Sequence, residues 1–143
     1  MNVNIGFIGT GFMGAPIVKG IIKAGLVPAD RIHVFDVDRE KMKLLKDDTG
    51  VNIAADGREV TEKSDIIILA VKPNYVKEVL EDCRDKFDNS KILVSIAAGI
   101  PIKTYKNIIG SDKKVVRTMP NQPALVGEGM TIISYDSCIT KEE

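Results

Sequence analysis

The sequence predicts an α/β fold in which a doubly wound, mostly parallel sheet carries helices on both faces. Short apolar runs alternate along the chain with stretches of helical periodicity, which is the pattern of repeated strand–helix–strand units. The run 65–71 is apolar almost throughout, as is typical of a strand buried on both faces of a parallel sheet. The 143 residues, of which 44% are hydrophobic, suffice for one domain with a substantial core.

The first strand, with Val3, Ile5 and Phe7, leads directly into a glycine turn and then into a helix that runs to about Ala24. A Gly-x-Gly-x-x-Gly turn between a strand and a helix is typical of dinucleotide-binding, Rossmann-like domains, although the glycines could instead only make a tight corner. In such turns the first glycine permits the bend, the second admits the pyrophosphate and the third allows close helix packing. We therefore predict that the cofactor contacts Ile8, Gly9, Thr10, Gly11, Phe12, Met13 and Gly14.

The remaining elements follow in regular alternation. Pro16 has no N–H and crowds the carbonyl of Phe12, so the first helix should begin late or have a distorted first turn. Asp38 is placed to cap the second helix. The predicted strands cover 31–37, 51–54, 65–71, 92–96, 115–119 and 130–134, and the predicted helices cover 38–50, 57–63, 74–87 and 101–110. Residues 120–123 read as a rigid turn.

Ligands of doubly wound sheets bind beyond the carboxyl ends of the strands. Five stretches follow predicted strands, namely 9–14, 36–39, 71–73, 97–99 and 119–121, and we expect them to converge on one crevice. Beyond the glycine turn, they and the adjoining strand end supply the other predicted cofactor-binding residues, which are Asp36, Arg39, Ala70, Val71, Lys72, Pro73, Ala97, Ala98, Gly99, Met119 and Asn121.

Asp36 bears on which cofactor is bound. It ends a predicted strand 22 residues after Gly14, where a carboxylate accepts hydrogen bonds from the ribose hydroxyls of NAD and repels the 2′-phosphate of NADP. Arg39 could instead pair with that phosphate, and Asp36 could serve only to hold the turn. Our hypothesis is that the chain uses NADP(H) or NAD(H), with Asp36 limiting the affinity for NADPH.

Composition argues against several other classes of protein. Twenty basic residues balance twenty acidic ones without a basic cluster, so no nucleic acid partner is expected. No long apolar run predicts a membrane span, and no secretory leader precedes the first strand. Cys83 and Cys138 do not form a Cys-x-x-Cys pair, which favours free thiols in the cytoplasm over a disulfide or a metal site.

Four motifs together closely resemble pyrroline-5-carboxylate reductase in order and spacing, over nearly the whole chain: 8–14, 70–73 (Ala-Val-Lys-Pro), 95–100 (Ser-Ile-Ala-Ala-Gly-Ile) and 117–129. The resemblance implies hydride transfer from NADPH or NADH to the C=N bond of 1-pyrroline-5-carboxylate, which gives proline. It also implies a homo-oligomer formed through a C-terminal helical domain that supplies much of the substrate pocket. Residues 1–143 would then be the NAD(P)-binding domain alone, without that helical domain and mainly monomeric.

No catalytic residue is predicted, because hydride transfer depends on positioning and the cofactor supplies the chemistry. Ala97 and Ala98 would let the nicotinamide ribose approach the backbone, and Met119 and Asn121 would line the nicotinamide end. Alternatively, Met119 is a core residue and Asn121 a turn residue that bonds its own backbone.

The sequence departs from the resembling family at two places, and other functions stay open. Gly14-Ala15-Pro16 is more similar to the 3-hydroxyisobutyrate dehydrogenase group, which suggests a 3-hydroxyacid-type dehydrogenase domain. Many members of the resembling family carry Asn where this chain has Gly57, so one hydrogen bond near the adenosine is expected to be lost. A third possibility is an NAD(P)-binding regulatory module without turnover.

Overall fold

The strands are β1 (Ile5–Ile8), β2 (Ile32–Phe35), β3 (Asn52–Ile53), β4 (Ile66–Leu69), β5 (Ile92–Ser95), β6 (Lys114–Pro120) and β7 (Thr131–Tyr135). In the computed structural model, which describes residues 1–121 and 129–143, they form one sheet in the order β3-β2-β1-β4-β5-β6-β7. All neighbours are parallel except β6 and β7, which are antiparallel. The chain order reverses on either side of β1, so the predicted doubly wound sheet is confirmed.

The helices are α1 (Gly14–Lys23), α2 (Arg39–Thr49), α3 (Gly57–Lys63), α4 (Val76–Cys83) and α5 (Ile102–Ile109). Short 3-10 helices precede β2, precede α4 and follow α4. Asp38 caps α2 as predicted, because its Oδ1 accepts hydrogen bonds from the backbone N–H groups of Glu40 (3.1 Å) and Lys41 (3.2 Å).

Pro16 lies in the first turn of α1. The helix begins at Gly14 and therefore does not start late. The bonds on either side of the proline, Ala15 N to Gly11 O and Ile17 N to Met13 O, are both long at 3.3 Å. Since Pro16 has no N–H to donate toward the carbonyl of Phe12, the first turn is loosened, which is the second of the two outcomes expected.

Two apolar cores lie on opposite faces of the sheet. On the first face α3, α4 and α5 pack around a core that includes Leu69, Leu80 and Leu93, and on the second face α1 and α2 pack around Phe7 and Val34. Helices on both faces are therefore confirmed. The second face is unevenly covered. Over β5, β6 and β7 it forms a groove whose lining is mainly apolar, and in the described part of the chain no helix packs there.

Candidate functional site

The glycine turn after β1 is shaped by two of its three glycines. Gly9 has a positive φ of 102°, and a Cβ there would lie 2.5 Å from the carbonyl oxygen of Ala70. A Cβ at Gly14 would overlap the carbonyl oxygen of Gly9. At Gly11, by contrast, an added Cβ would meet nothing within 4 Å. Packing within the protein thus requires glycine at positions 9 and 14, whereas no protein atom requires it at position 11.

Asp36 ties the glycine turn to the segment that follows β2. Its Oδ2 accepts hydrogen bonds from the backbone N–H of Thr10 (2.7 Å) and from the Thr10 hydroxyl (3.2 Å). Its Oδ1 accepts a bond from the N–H of Asp38 (2.9 Å). Asp36 therefore does hold the turn, as one interpretation of the sequence proposed. A carboxylate has about four acceptor sites, so these three bonds leave capacity for a hydroxyl of a ligand.

An apolar crevice of about 290 Å³ opens beside this tie, between the carboxyl ends of β1, β2 and β4. Four predicted residues line it, namely Ile8, Gly9, Asp36 and Val71. Sequence analysis missed the others, which are Phe35, Val37, Tyr75, Glu78 and Val79. A mostly apolar slot with a carboxylate at its edge suits a flat aromatic ring joined to a polar sugar. Tyr75 and Val79 lie one helical turn apart, and this spacing is the sequence signal that could have identified them as lining residues. The same spacing also fits a stripe of core residues along a helix.

The other predicted residues do not line this crevice. Arg39 opens α2 and lines a neighbouring hollow with Phe35 and Glu59. Among the residues after β4 and β5, Ala70 is half-buried, Ala97 is buried, and four are exposed: Lys72, Pro73, Ala98 and Gly99. Within the glycine turn Phe12 is exposed, Met13 is half-buried and Thr10 is buried.

The end of β6 lies at the same edge of the sheet as the other strand ends. Met119 is 45% exposed and is paired with Ile132 of β7, so it is not a core residue. Asn121 bonds the neighbouring backbone, because its Oδ1 accepts from the N–H of Met130 (3.0 Å) and its own N–H donates to the Met130 carbonyl (3.2 Å). Of the predicted turn 120–123 and the motif 117–129, residues 122–128 lie outside the described part of the chain.

Gly57 is explained by packing at the start of α3. A Cβ at this position would lie 3.2 Å from Cys83 Sγ and 3.4 Å from Ile8 Cδ1, and so would point into the core. The Cys83 thiol occupies that space, and burial raises its pKa to about 11, so the thiol stays protonated at neutral pH. The missing hydrogen bond expected near the adenosine remains a prediction.

Within residues 1–121 and 129–143 no group of three or more His, Cys, Asp or Glu side chains is arranged to hold a metal ion. The same residues contain no helix that is both long and apolar enough to span a bilayer.

Comparison with known proteins shows the family to which the chain belongs. Residues 4–99 match a family model described as NADP oxidoreductase, coenzyme F420-dependent. The whole chain is 38% identical to the pyrroline-5-carboxylate reductase of Escherichia coli (strain K12) and spans 53% of it. The chain thus spans about half the length of the curated relatives it matches.

Two solved structures extend the comparison. A pyrroline-5-carboxylate reductase from Coxiella burnetii superposes with a TM-score of 0.93 at 32% identity, covering 99% of this chain and 53% of that one. The Plasmodium falciparum pyrroline carboxylate reductase, solved with NADP bound, superposes with a TM-score of 0.87 at 30% identity, covering 99% and 51%.

Proposed function

The chain belongs to the family described as NADP oxidoreductase, coenzyme F420-dependent, and we propose that it is the NAD(P)-binding domain of a pyrroline-5-carboxylate reductase. In this proposal residues 1–143 form the cofactor domain. A C-terminal helical domain completes the substrate pocket and the homo-oligomer in the whole protein. The similarity to pyrroline-5-carboxylate reductases along the full chain supports this choice over other members of the family.

The observation that carries the proposal is the empty space beside Gly11. The fold itself does not require glycine there, whereas a pyrophosphate lying against the backbone would. The N-terminus of α1 begins three residues later, and the positive end of the helix dipole favours an anion near it.

The other parts of the site follow from that position. Asp36 would orient the adenosine ribose, and the apolar crevice lined by Val71 and Tyr75 would hold the adenine. The loops after β4, β5 and β6 would then flank the nicotinamide half. When bound, NADPH or NADH supplies the hydride that adds to the carbon of the C=N bond, while a proton adds to the nitrogen.

The alternative of a 3-hydroxyacid-type dehydrogenase rested on Gly14-Ala15-Pro16. Ala15 packs against the core between α1 and the sheet, so a small residue at this position has a structural explanation that does not depend on substrate. The proposal therefore gives that local similarity little weight.

An assay of NAD(P)H oxidation tests the proposal on two proteins, the purified 143-residue chain and the full-length protein that carries it. We expect the full-length protein to reduce 1-pyrroline-5-carboxylate, and the 143-residue chain to be nearly inactive because misplacement of a reactant by about 1 Å costs on the order of a hundredfold in rate. The control is oxidation of 3-hydroxyisobutyrate with NAD⁺ or NADP⁺. Preference for that substrate, or rapid imine reduction by the 143-residue chain, would contradict the proposal.

A further inference from the structure

A buried hydrogen-bond network lies beneath the loop that follows β5. Ser95 is the last residue of β5, and its Oγ lies 2.6 Å from the hydroxyl oxygen of Tyr105 on α5. The same Oγ accepts a hydrogen bond from the backbone N–H of Ala97 (3.2 Å). Ser95 and Tyr105 are both 0% exposed.

The three groups form a directed chain of bonds. Ser95 Oγ accepts from Ala97, and the Tyr105 hydroxyl is able to donate to it because burial raises the tyrosine pKa and keeps its proton in place. A buried hydroxyl without a hydrogen-bond partner lowers the stability of the fold. Ser95 and Tyr105 are therefore expected to keep their mutual hydrogen bond. The network thereby fixes the backbone at Ala97 relative to α5.

The network acts on one short segment. Only residues 96–101 join β5 to α5, and within them Ala98 and Gly99 are exposed at the carboxyl edge of the sheet. Gly99 adopts a positive φ of 77°. Because glycine has no Cβ, steric contacts restrict its backbone less than that of other residues. The N–H of Ile96 also holds this segment, by donating to the carbonyl of Leu69 (3.1 Å). The bond from Ala97 to Ser95 is the tie that depends on a side chain.

The strand order relates the segment to one half of the proposed cofactor. With a pyrophosphate on the glycine turn after β1, Asp36 lies on the β2 side, where the adenosine ribose is bound. The loop after β5 lies on the opposite side, beyond β4. The second nucleoside of the dinucleotide must therefore extend over the loops that follow β4 and β5.

We propose that Ser95 and Tyr105 are positioning residues for the nicotinamide half of the cofactor, acting through the backbone of Ala97, Ala98 and Gly99. The inference rests on the proposed function, since it requires a nicotinamide dinucleotide at this edge of the sheet. Neither side chain reaches the cofactor itself, and their effect is confined to one of its two nucleosides.

The test compares two ligands that differ only in the nicotinamide nucleoside, which are NADH with ADP, or NADPH with ADP that carries a 2′-phosphate. Each pair is titrated calorimetrically into the wild-type 143-residue chain and into Tyr105→Phe and Ser95→Ala, with thermal unfolding recorded for each protein. We expect both variants to bind the dinucleotide about fivefold more weakly, as for one lost hydrogen bond, while the affinity for the nucleoside diphosphate is unchanged. The control is Tyr135→Phe, which removes the same hydroxyl from a residue that is 62% exposed on β7.

The outcomes separate this inference from the proposed function. An equal loss of affinity for both ligands would show that the pair only supports the fold, and unchanged affinities would show that it does not place the loop. Either result overturns the inference while leaving a nucleotide site intact. A wild-type chain that binds neither ligand would overturn the proposed function together with it.

Discussion

The three glycines of the turn after β1 have different surroundings, and the motif assigns them different roles. Gly9 and Gly14 are enforced by backbone atoms of the protein, whereas Gly11 borders open space. The motif and its position between strand and helix could be predicted from sequence. The contact that enforces Gly9 could not, because it is made with Ala70, which is 61 residues from Gly9 along the chain.

Asp36 is expected to have two roles that one substitution can separate. Asp36→Asn keeps one side-chain oxygen for the bonds to Thr10, loses the acceptor for the N–H of Asp38, and removes the negative charge, which repels a 2′-phosphate. We expect NADPH binding to tighten several-fold relative to NADH. The measurement is the pair of dissociation constants for wild type and variant, and a constant ratio would mean that Asp36 ties the turn without facing the ribose.

At the scale of elements, the number and order of strands and helices could be predicted, and so could both ends of α3, whereas several strand ends could not. Periodicity reports which side chains are buried, whereas an end is set by the hydrogen bonds that a neighbour provides. The predicted strand 31–37 stops at Phe35, because Asp36 turns to bond Thr10 and Asp38. The predicted strand 115–119 extends from Lys114 to Pro120, because β5 pairs with it at Lys114 and β7 pairs with it at Pro120.

The candidate site could likewise be predicted only in part from the sequence. Glycine-turn and strand-end residues follow from position in the chain, and four of the nine residues that line the crevice were found in this way. Tyr75 and Val79 were missed because their spacing equally fits a buried helix face, and only the 3-10 turn after Lys72 directs them toward the crevice.

Two apolar strand residues should differ sharply in their contribution to stability. Leu93 on β5 is fully buried, and Ile133 on β7 is 60% exposed. We expect Leu93→Ala to lower the free energy of unfolding by about 2–5 kcal/mol, and Ile133→Ala to lower it by less than about 1 kcal/mol. Urea unfolding of both variants measures this, and a comparable loss at Ile133 would mean that β7 is covered in solution.

At the scale of the whole molecule, the proposed site lies at one end of the sheet, and one face of the sheet is unevenly covered. The loops that follow β1, β2, β4, β5 and β6 lie at the same end of the sheet, beyond the carboxyl ends of its parallel strands, as the doubly wound topology requires. On the second face, the groove over β5–β7 exposes Ile133 and Tyr135. The mainly monomeric state expected of the 143-residue chain stays a prediction.

The most direct test of the central claim, a single nucleotide site at this edge, is calorimetric titration of NADPH and NADH into Gly11→Val. We predict an unfolding temperature close to that of wild type, because an added Cβ meets no protein atom within 4 Å, and no detectable binding, because the side chain fills the place of the pyrophosphate. Gly20→Ala is the matched control, since Gly20 also borders open space but lies on the exposed side of α1. It should bind as wild type does. Unchanged nucleotide affinity in a folded Gly11→Val chain would contradict the proposed site.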